Sequence, residues 1–237
     1  MTHHDPDGSA YRRLELSKSA KLAAVLVAFV LAVAAIASVW LYLIKYPQTA
    51  QAATSSSGEQ QITMQTVGAL GYGPHSTYVS YLVEQNGKWI HSTMLQVKAN
   101  SDVHFTIYQY DSGSPLRNPF MDQVSGTTDG KEILNGQPVR IVNDYSDGGV
   151  GHTFAIPSMG VSVPMPGISS NAKNPCGTPA PCALSYDHNT VQFTIHVGAA
   201  GTYPWQCFVP CGLGYLIGNG GPMSTLGYMG GFLKVVA

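Results

Sequence analysis

VQFTIHVGAAGTYPWQCFVPCGLG, residues 191–214, decides the fold. Residues 191–197 alternate apolar and polar side chains, as a half-buried strand does. A short Gly/Ala turn follows, and residues 201–207 read as a second strand. That strand runs into Cys207 and Cys211, with three residues between them and a glycine after. A C-x3-C loop at a strand end can turn both thiols to one side, an arrangement suited to a soft metal such as copper. The same thiols can close into a small disulfide, and the spacing leaves both states open.

Working outward, VHFTIY at 103–108 shows the same alternation, and Gly/Pro/Asn/Asp punctuation separates further expected strands. These fall at 62–67, 78–84, 92–98, 138–143, 152–157 and 231–236. Such a pattern over about 175 residues predicts a single all-β sandwich. Three long stretches (109–137, 168–188 and 212–228) are expected as loops that carry contacts or close over a site. No nucleophile elbow, zincin helix, phosphate loop or dinucleotide fingerprint is present. The chain therefore shows no independent catalytic constellation.

Composition narrows the function classes. Only 11% of the 237 residues are charged, against about 25% in an average soluble domain, and the net charge is −1. Nucleic-acid binding by a broad basic surface is disfavoured, since phosphate neutralisation needs clustered Lys and Arg. With 44% hydrophobic residues the chain can bury a core, which argues against general disorder. Part of the low charge is one segment: Leu22 to Ile44 contains 23 residues without a charge. As a helix it would span about 34 Å, enough for the hydrocarbon core of a bilayer. Arg12, Arg13, Lys18 and Lys21 precede it and only Lys45 follows closely, which predicts a cytoplasmic N-terminus. Trp40, Tyr42 and Tyr46 would then sit at the outer interface. The rival is a signal peptide cleaved near Ala50, Gln51 and Ala52, but the apolar run exceeds the usual 7–15 residues. The expected organisation is thus a cytoplasmic tail (1–21), a transmembrane anchor (22–45), a linker (46–61) and an extracytoplasmic domain (62–237).

Four cysteines on the oxidising side of a membrane allow three disulfide connectivities. Cys176 and Cys182, inside NPCGTPAPC, favour a local disulfide that stiffens a Pro-rich loop.

Four stretches together resemble the extracytoplasmic cupredoxin domain of haem–copper oxidase subunit II. These are LQVKANSDVHFTI (95–107), GHTFAIPSMGVSVPMPG (151–167), VQFTIHVGAAGTYPWQCFVPCGLG (191–214) and GYMGGFLKVV (227–236). The resemblance implies a cupredoxin-like Greek-key β-sandwich with one N-terminal transmembrane helix. It also implies copper as cofactor. His152 matches the family's first histidine, Cys207 and Cys211 its bridging cysteines, and Met229 its methionine. Val209 stands where the family uses a backbone carbonyl. The second histidine of the two-copper centre is missing: Tyr215 stands there counted from Cys211, and Leu226 counted back from Met229.

Three states of the site follow as expectations. One copper is held by His152, Cys207, Cys211 and Met229; or an altered two-copper site recruits another histidine; or the domain is metal-free with a Cys207–Cys211 disulfide. His104 and His196 lie in alternating strands and are expected to be packed or solvent-facing, His188 sits in a turn, and His75 and His91 offer no spacing argument. Met159, Met165 and Met223 are expected to fill gaps against apolar surface, and Trp205 to pack in the sandwich. The expected function is an extracytoplasmic electron-transfer subunit of a respiratory or other copper-dependent membrane complex. Its expected partners are integral-membrane subunits and a c-type cytochrome or other redox donor; ten acidic against seven basic residues after position 46 weakly favour a basic donor. The alternatives are a metal-free accessory subunit and a copper chaperone, though the Met- or His-rich runs of a chaperone are missing.

Overall fold

The computed structural model describes residues 17–45, 49–55, 58–142, 149–173, 176, 179–212 and 221–237. The alternation read at 103–108 and 191–197 becomes two neighbouring strands, β7 (Ser101–Gln109) and β12 (Asn189–Val197), paired antiparallel with Phe105 opposite Phe193. Val103, Phe105 and Ile107 of one and Val191, Phe193 and Ile195 of the other face inward. The side chains between them face outward, as the two-residue period of a strand requires.

Around this pair lies an eight-stranded sheet. Its path runs β5 (Lys88–Ile90), β4 (Ser80–Gln85), β3 (Gln60–Val67), β7, β12, β8 (Glu132–Leu134) and β9 (Gln137–Val139), with β2 (Ala53–Thr54) on β3. The facing six-stranded sheet runs β1 (Thr49–Gln51), β6 (Met94–Lys98), β14 (Gly230–Val236), β13 (Gly201–Gln206), β10 (Val150–Ile156) and β11 (Val161–Pro166). The expected all-β sandwich is what forms. Pairing is mixed: β3 runs parallel to β7, and β6 runs parallel to both β1 and β14.

Aromatic rings fill the space between the sheets. Phe105 stacks on Phe193 at 5.0 Å, Phe154 lies 4.9 Å from Trp205, and Tyr81 meets Trp205 edge-on at 5.1 Å. Both polar tips are satisfied: Trp205 Nε1 donates to the Thr93 carbonyl at 3.0 Å, and Tyr81 Oη to the Thr153 carbonyl at 3.0 Å. Gly231 makes the first bond possible, because a Cβ there would stand 1.9 Å from the Thr93 oxygen. Met165 and Met223 pack into this core and Met159 against it, as gap-filling methionines do.

A second apolar cluster lies apart from this core. Leu82, Tyr110, Ala180, Cys182 and Tyr228 form it. Cys176 and Cys182 are joined, as expected, in a disulfide. The loop is tied down by Cys182 N–H donating to Gln65 Oε1 at 2.7 Å and Ala180 N–H to the Leu70 carbonyl at 2.9 Å.

Within the stretch 46–61, expected as a linker, the described residues 49–55 and 58–61 include paired segments. Ala50 is buried, Thr49–Gln51 pairs in parallel with Met94–Gln96, and Thr54 pairs with Gln60. Small polar residues read as a tether by composition, but their backbone groups are free to complete sheet edges. The expected strand at 138–143 is shorter, three residues of β9, and 143 lies outside the described residues.

The N-terminal unit is the helix α1 (Lys18–Lys45). Ser17 Oγ accepts from Ala20 N at 3.2 Å, as an N-cap does. Its 28 residues span about 42 Å. Leu22, Phe29, Ile36 and Trp40 are all exposed, and the helix is long and apolar enough to cross a membrane. The expected tail through residue 16 and Tyr46 of the aromatic belt lie outside the described residues.

Candidate metal centre

The centre is assembled from two neighbouring strands of the six-stranded sheet and the loop between β13 and β14. The register of β10 against β11 shifts between Val150 and His152, and such a bulge re-aims the side chain beside it. Cys207 follows β13 directly, and its N–H donates to the carbonyl of Met229, the residue before β14, at 2.8 Å. Cys211 closes the turn. Phe208, between the cysteines, donates its N–H to Thr153 Oγ1 at 2.8 Å, tying the turn to the strand that carries His152.

His152, Cys207 and Cys211 therefore meet. His152 Nδ1 is 3.1 Å from Cys211 Sγ and 3.9 Å from Cys207 Sγ, and the sulfurs are 3.6 Å apart as free thiols. One ligand atom from each of the three lies within 4.8 Å of the others, and all three residues are buried. The Val209 carbonyl joins them, 3.1 Å from Cys211 Sγ and 3.5 Å from Cys207 Sγ. Thr153 N–H points at Cys207 Sγ from 3.4 Å. Met229 is fully buried beside the cysteine turn through its backbone.

The electrostatics suit an anionic donor set. Burial alone would push the Cys207 thiol up, but hydrogen bonds from Cys211 and His152 and the imidazolium charge hold it well below the usual thiol range. Burial opposes the charged form of His152, yet Asp111 and Cys207 raise it to about 9. Cys211 is pushed up by its bond to Cys207, by burial and by the charges of Cys207 and Asp111. The neighbouring Tyr81 hydroxyl is likewise pushed up, first by burial and then by the two cysteines. Thiolate character at Cys207 and a charged His152 ring thus favour one another. Replacing the protons by a soft cation would satisfy the imidazole, both sulfurs and the carbonyl together, so these residues fit copper.

The other histidines among the described residues go elsewhere. His104 bonds Thr194 at 3.2 Å, and His196 pairs with Asp102 at 2.8 Å on the exposed face of the eight-stranded sheet. His188 bonds the Tyr186 carbonyl and packs against Tyr108 and Tyr110. His75 and His91 pack edge-on against Tyr228. Among the described residues none supplies a second imidazole. Leu226 is exposed, and Tyr215 lies outside the described residues.

One residue carries no spacing signal at all. Asp111, in the expected loop 109–137, accepts from His152 Nε2 at 3.1 Å. Burial pushes its carboxyl up, but hydrogen bonds from His152 and Ser112 and the His152 charge leave it below the usual range.

No protein-family model and no curated protein sequence matches the chain. Solved structures of rusticyanin are similar to it. That from Thiobacillus ferrooxidans is 17% identical at a TM-score of 0.33, covering 79% of this chain and 81% of its own. Reduced rusticyanin is 17% identical at 0.33, covering 79% and 83%. A third, described as a copper protein, is 16% identical at 0.34, covering 79% and 82%.

Proposed function

We propose that this chain is a membrane-anchored extracytoplasmic cupredoxin subunit of a respiratory or other copper-dependent membrane complex, carrying electrons through one copper ion. The observation that supports it is the convergence of His152 Nδ1, Cys207 Sγ and Cys211 Sγ within 4.8 Å in a buried pocket, with the sulfurs unbonded. Bound there, copper would supply a one-electron change. Cys207 and Cys211 would hold it as thiolates, His152 as a neutral imidazole and Val209 through its carbonyl, with Met229 as the fifth candidate. Burial of all three side chains fixes the donors, which keeps rearrangement on a charge change small. One imidazole for two sulfurs favours one copper over two. The apolar α1 and the charge-poor outer domain favour a body held among membrane subunits, with a c-type cytochrome or another redox protein as donor.

Copper titration of the reduced protein tests this. The expected result is one equivalent bound, with thiolate-to-copper absorption and a paramagnetic signal in the oxidised form, both lost in Cys207→Ser and His152→Ala. No such bands in the copper-loaded protein after oxidation of the metal would overturn the reading. Two equivalents would overturn the single-copper stoichiometry, and purification from native membranes without haem or oxidase subunits would overturn membership of such a complex.

A further inference from the structure

His152 is held from both sides of its ring. Nδ1 faces the sulfurs, and Nε2 faces Asp111 Oδ2 at 3.1 Å. Asp111 is itself set in a built cradle. Its N–H donates to Gln109 Oε1 at 3.1 Å, and that oxygen also accepts from Thr66 Oγ1. The other carboxylate oxygen, Oδ1, accepts from Ser112 N–H at 2.8 Å. Gly68 leaves the space it occupies: a Cβ at that position would stand 2.8 Å from Asp111 Oδ1. Gln109 ends β7 and Thr66 belongs to β3, so the carboxylate is referenced to the eight-stranded sheet while the imidazole belongs to the six-stranded one.

We infer that Asp111 is the positioning residue of the metal centre, fixing the proton of His152 on Nε2 so that the Nδ1 lone pair is presented to the metal between the two sulfurs. This rests on the copper reading above. A carboxylate accepts only, so the nitrogen facing it must carry hydrogen and the opposite nitrogen is left as the donor. A ring without this partner could rotate or carry its proton on Nδ1, and either change withdraws the one imidazole the site has. Gly68 is part of the same device because it keeps the carboxylate in reach.

The test compares wild type with Asp111→Asn, Asp111→Ala and Gly68→Ala by competition for Cu(I) against a chromophoric chelator. Absorption and paramagnetic resonance of the Cu(II) forms and the unfolding midpoint of each metal-free protein complete the set. Asp111→Ala is expected to weaken copper binding about 10–100-fold. Asp111→Asn, which keeps an acceptor oxygen, should lose less, and Gly68→Ala should change in the same direction because the carboxylate must shift. In all three the thiolate band and copper hyperfine splitting should move. Affinity within twofold of wild type and unchanged spectra in Asp111→Ala would overturn the role. So would a fallen midpoint with unchanged spectra, since that marks a merely structural residue. Wild type that takes up no copper would instead overturn the copper reading itself, and this role with it.

Discussion

At the residue scale, Glu132 is the group whose chemistry is least like its surroundings. It is fully buried in β8, and neither carboxylate oxygen has a hydrogen-bond partner. Burial pushes its carboxyl well above the ordinary range, so the folded protein keeps it protonated where an unfolded chain, near 4.3, would ionise it. A raised acid is neutral in both states below the unfolded value. As pH climbs beyond that value, unfolding gains the ionisation and stability falls until the folded value is passed. Glu132→Gln should therefore remove part of the loss of stability between about pH 4 and neutrality. Urea unfolding across that range checks it, and an unchanged slope in the variant would count against a neutral buried acid. The residues of the metal centre differ in how they could be read. Cys207 and Cys211 announce themselves by spacing, and His152 only through the family resemblance. Asp111 sits 41 positions from His152 in a turn-rich stretch, where only the meeting of two sheets gives it meaning.

At the scale of elements, strands with their own amphipathic pattern were legible: β7, β12, β13 and β14 lie close to where alternation puts them. Of the short ones only β9 was, in part. β1, β2, β5 and β8 are two or three residues long, and each exists because a neighbour offers an edge. β11 contains two prolines, Pro164 and Pro166, and by composition looks like a loop. It forms at the end of its sheet, where proline's missing N–H need not break a ladder. The histidines at 104 and 196, expected to be packed or solvent-facing, bond Thr194 and Asp102 on the outer face of their strands. The loop closed by Cys176 and Cys182 adds its own contribution. Six positions separate the cysteines, and in the chain-entropy description closing so short a loop contributes about 2 kcal/mol. Cys176→Ser with Cys182→Ser should lower stability by about that amount. It should leave the copper spectrum unchanged, because the pair belongs to the second apolar cluster and not to the core holding Cys207. Thermal unfolding and absorption of the double variant decide this; a lost copper band would mean that the two clusters are coupled.

At the scale of the molecule, the chain divides at Tyr46 and Pro47 into a helix and a sandwich with its own core. Among the described residues, apolar side chains along the helix are exposed, and water is a poor environment for them. The full chain should stay with membranes after washing in high salt and at alkaline pH, while a chain beginning at Pro47 should be soluble, fold cooperatively and bind copper as the whole protein does. Release of the full chain by salt alone would contradict a spanning helix. The apolar helix was visible from one uncharged run. The attachment of Thr49–Gln51 to the sandwich was not, since nothing in a small polar stretch records which edge it will complete.

The aromatic column has an optical consequence. Of the three tryptophans, Trp40 is exposed on α1 and Trp89 packs against Tyr108, whereas Trp205 is 1% exposed and two residues from Cys207. Its indole should emit at short wavelength, and a metal taken up by the adjacent thiols should quench that emission by energy or electron transfer. Stepwise addition of Cu(I) and then an oxidant, followed by fluorescence alone, should trace filling and redox state without a dye. With Trp205→Phe the same titration should go dark to copper while Trp40 and Trp89 continue to emit.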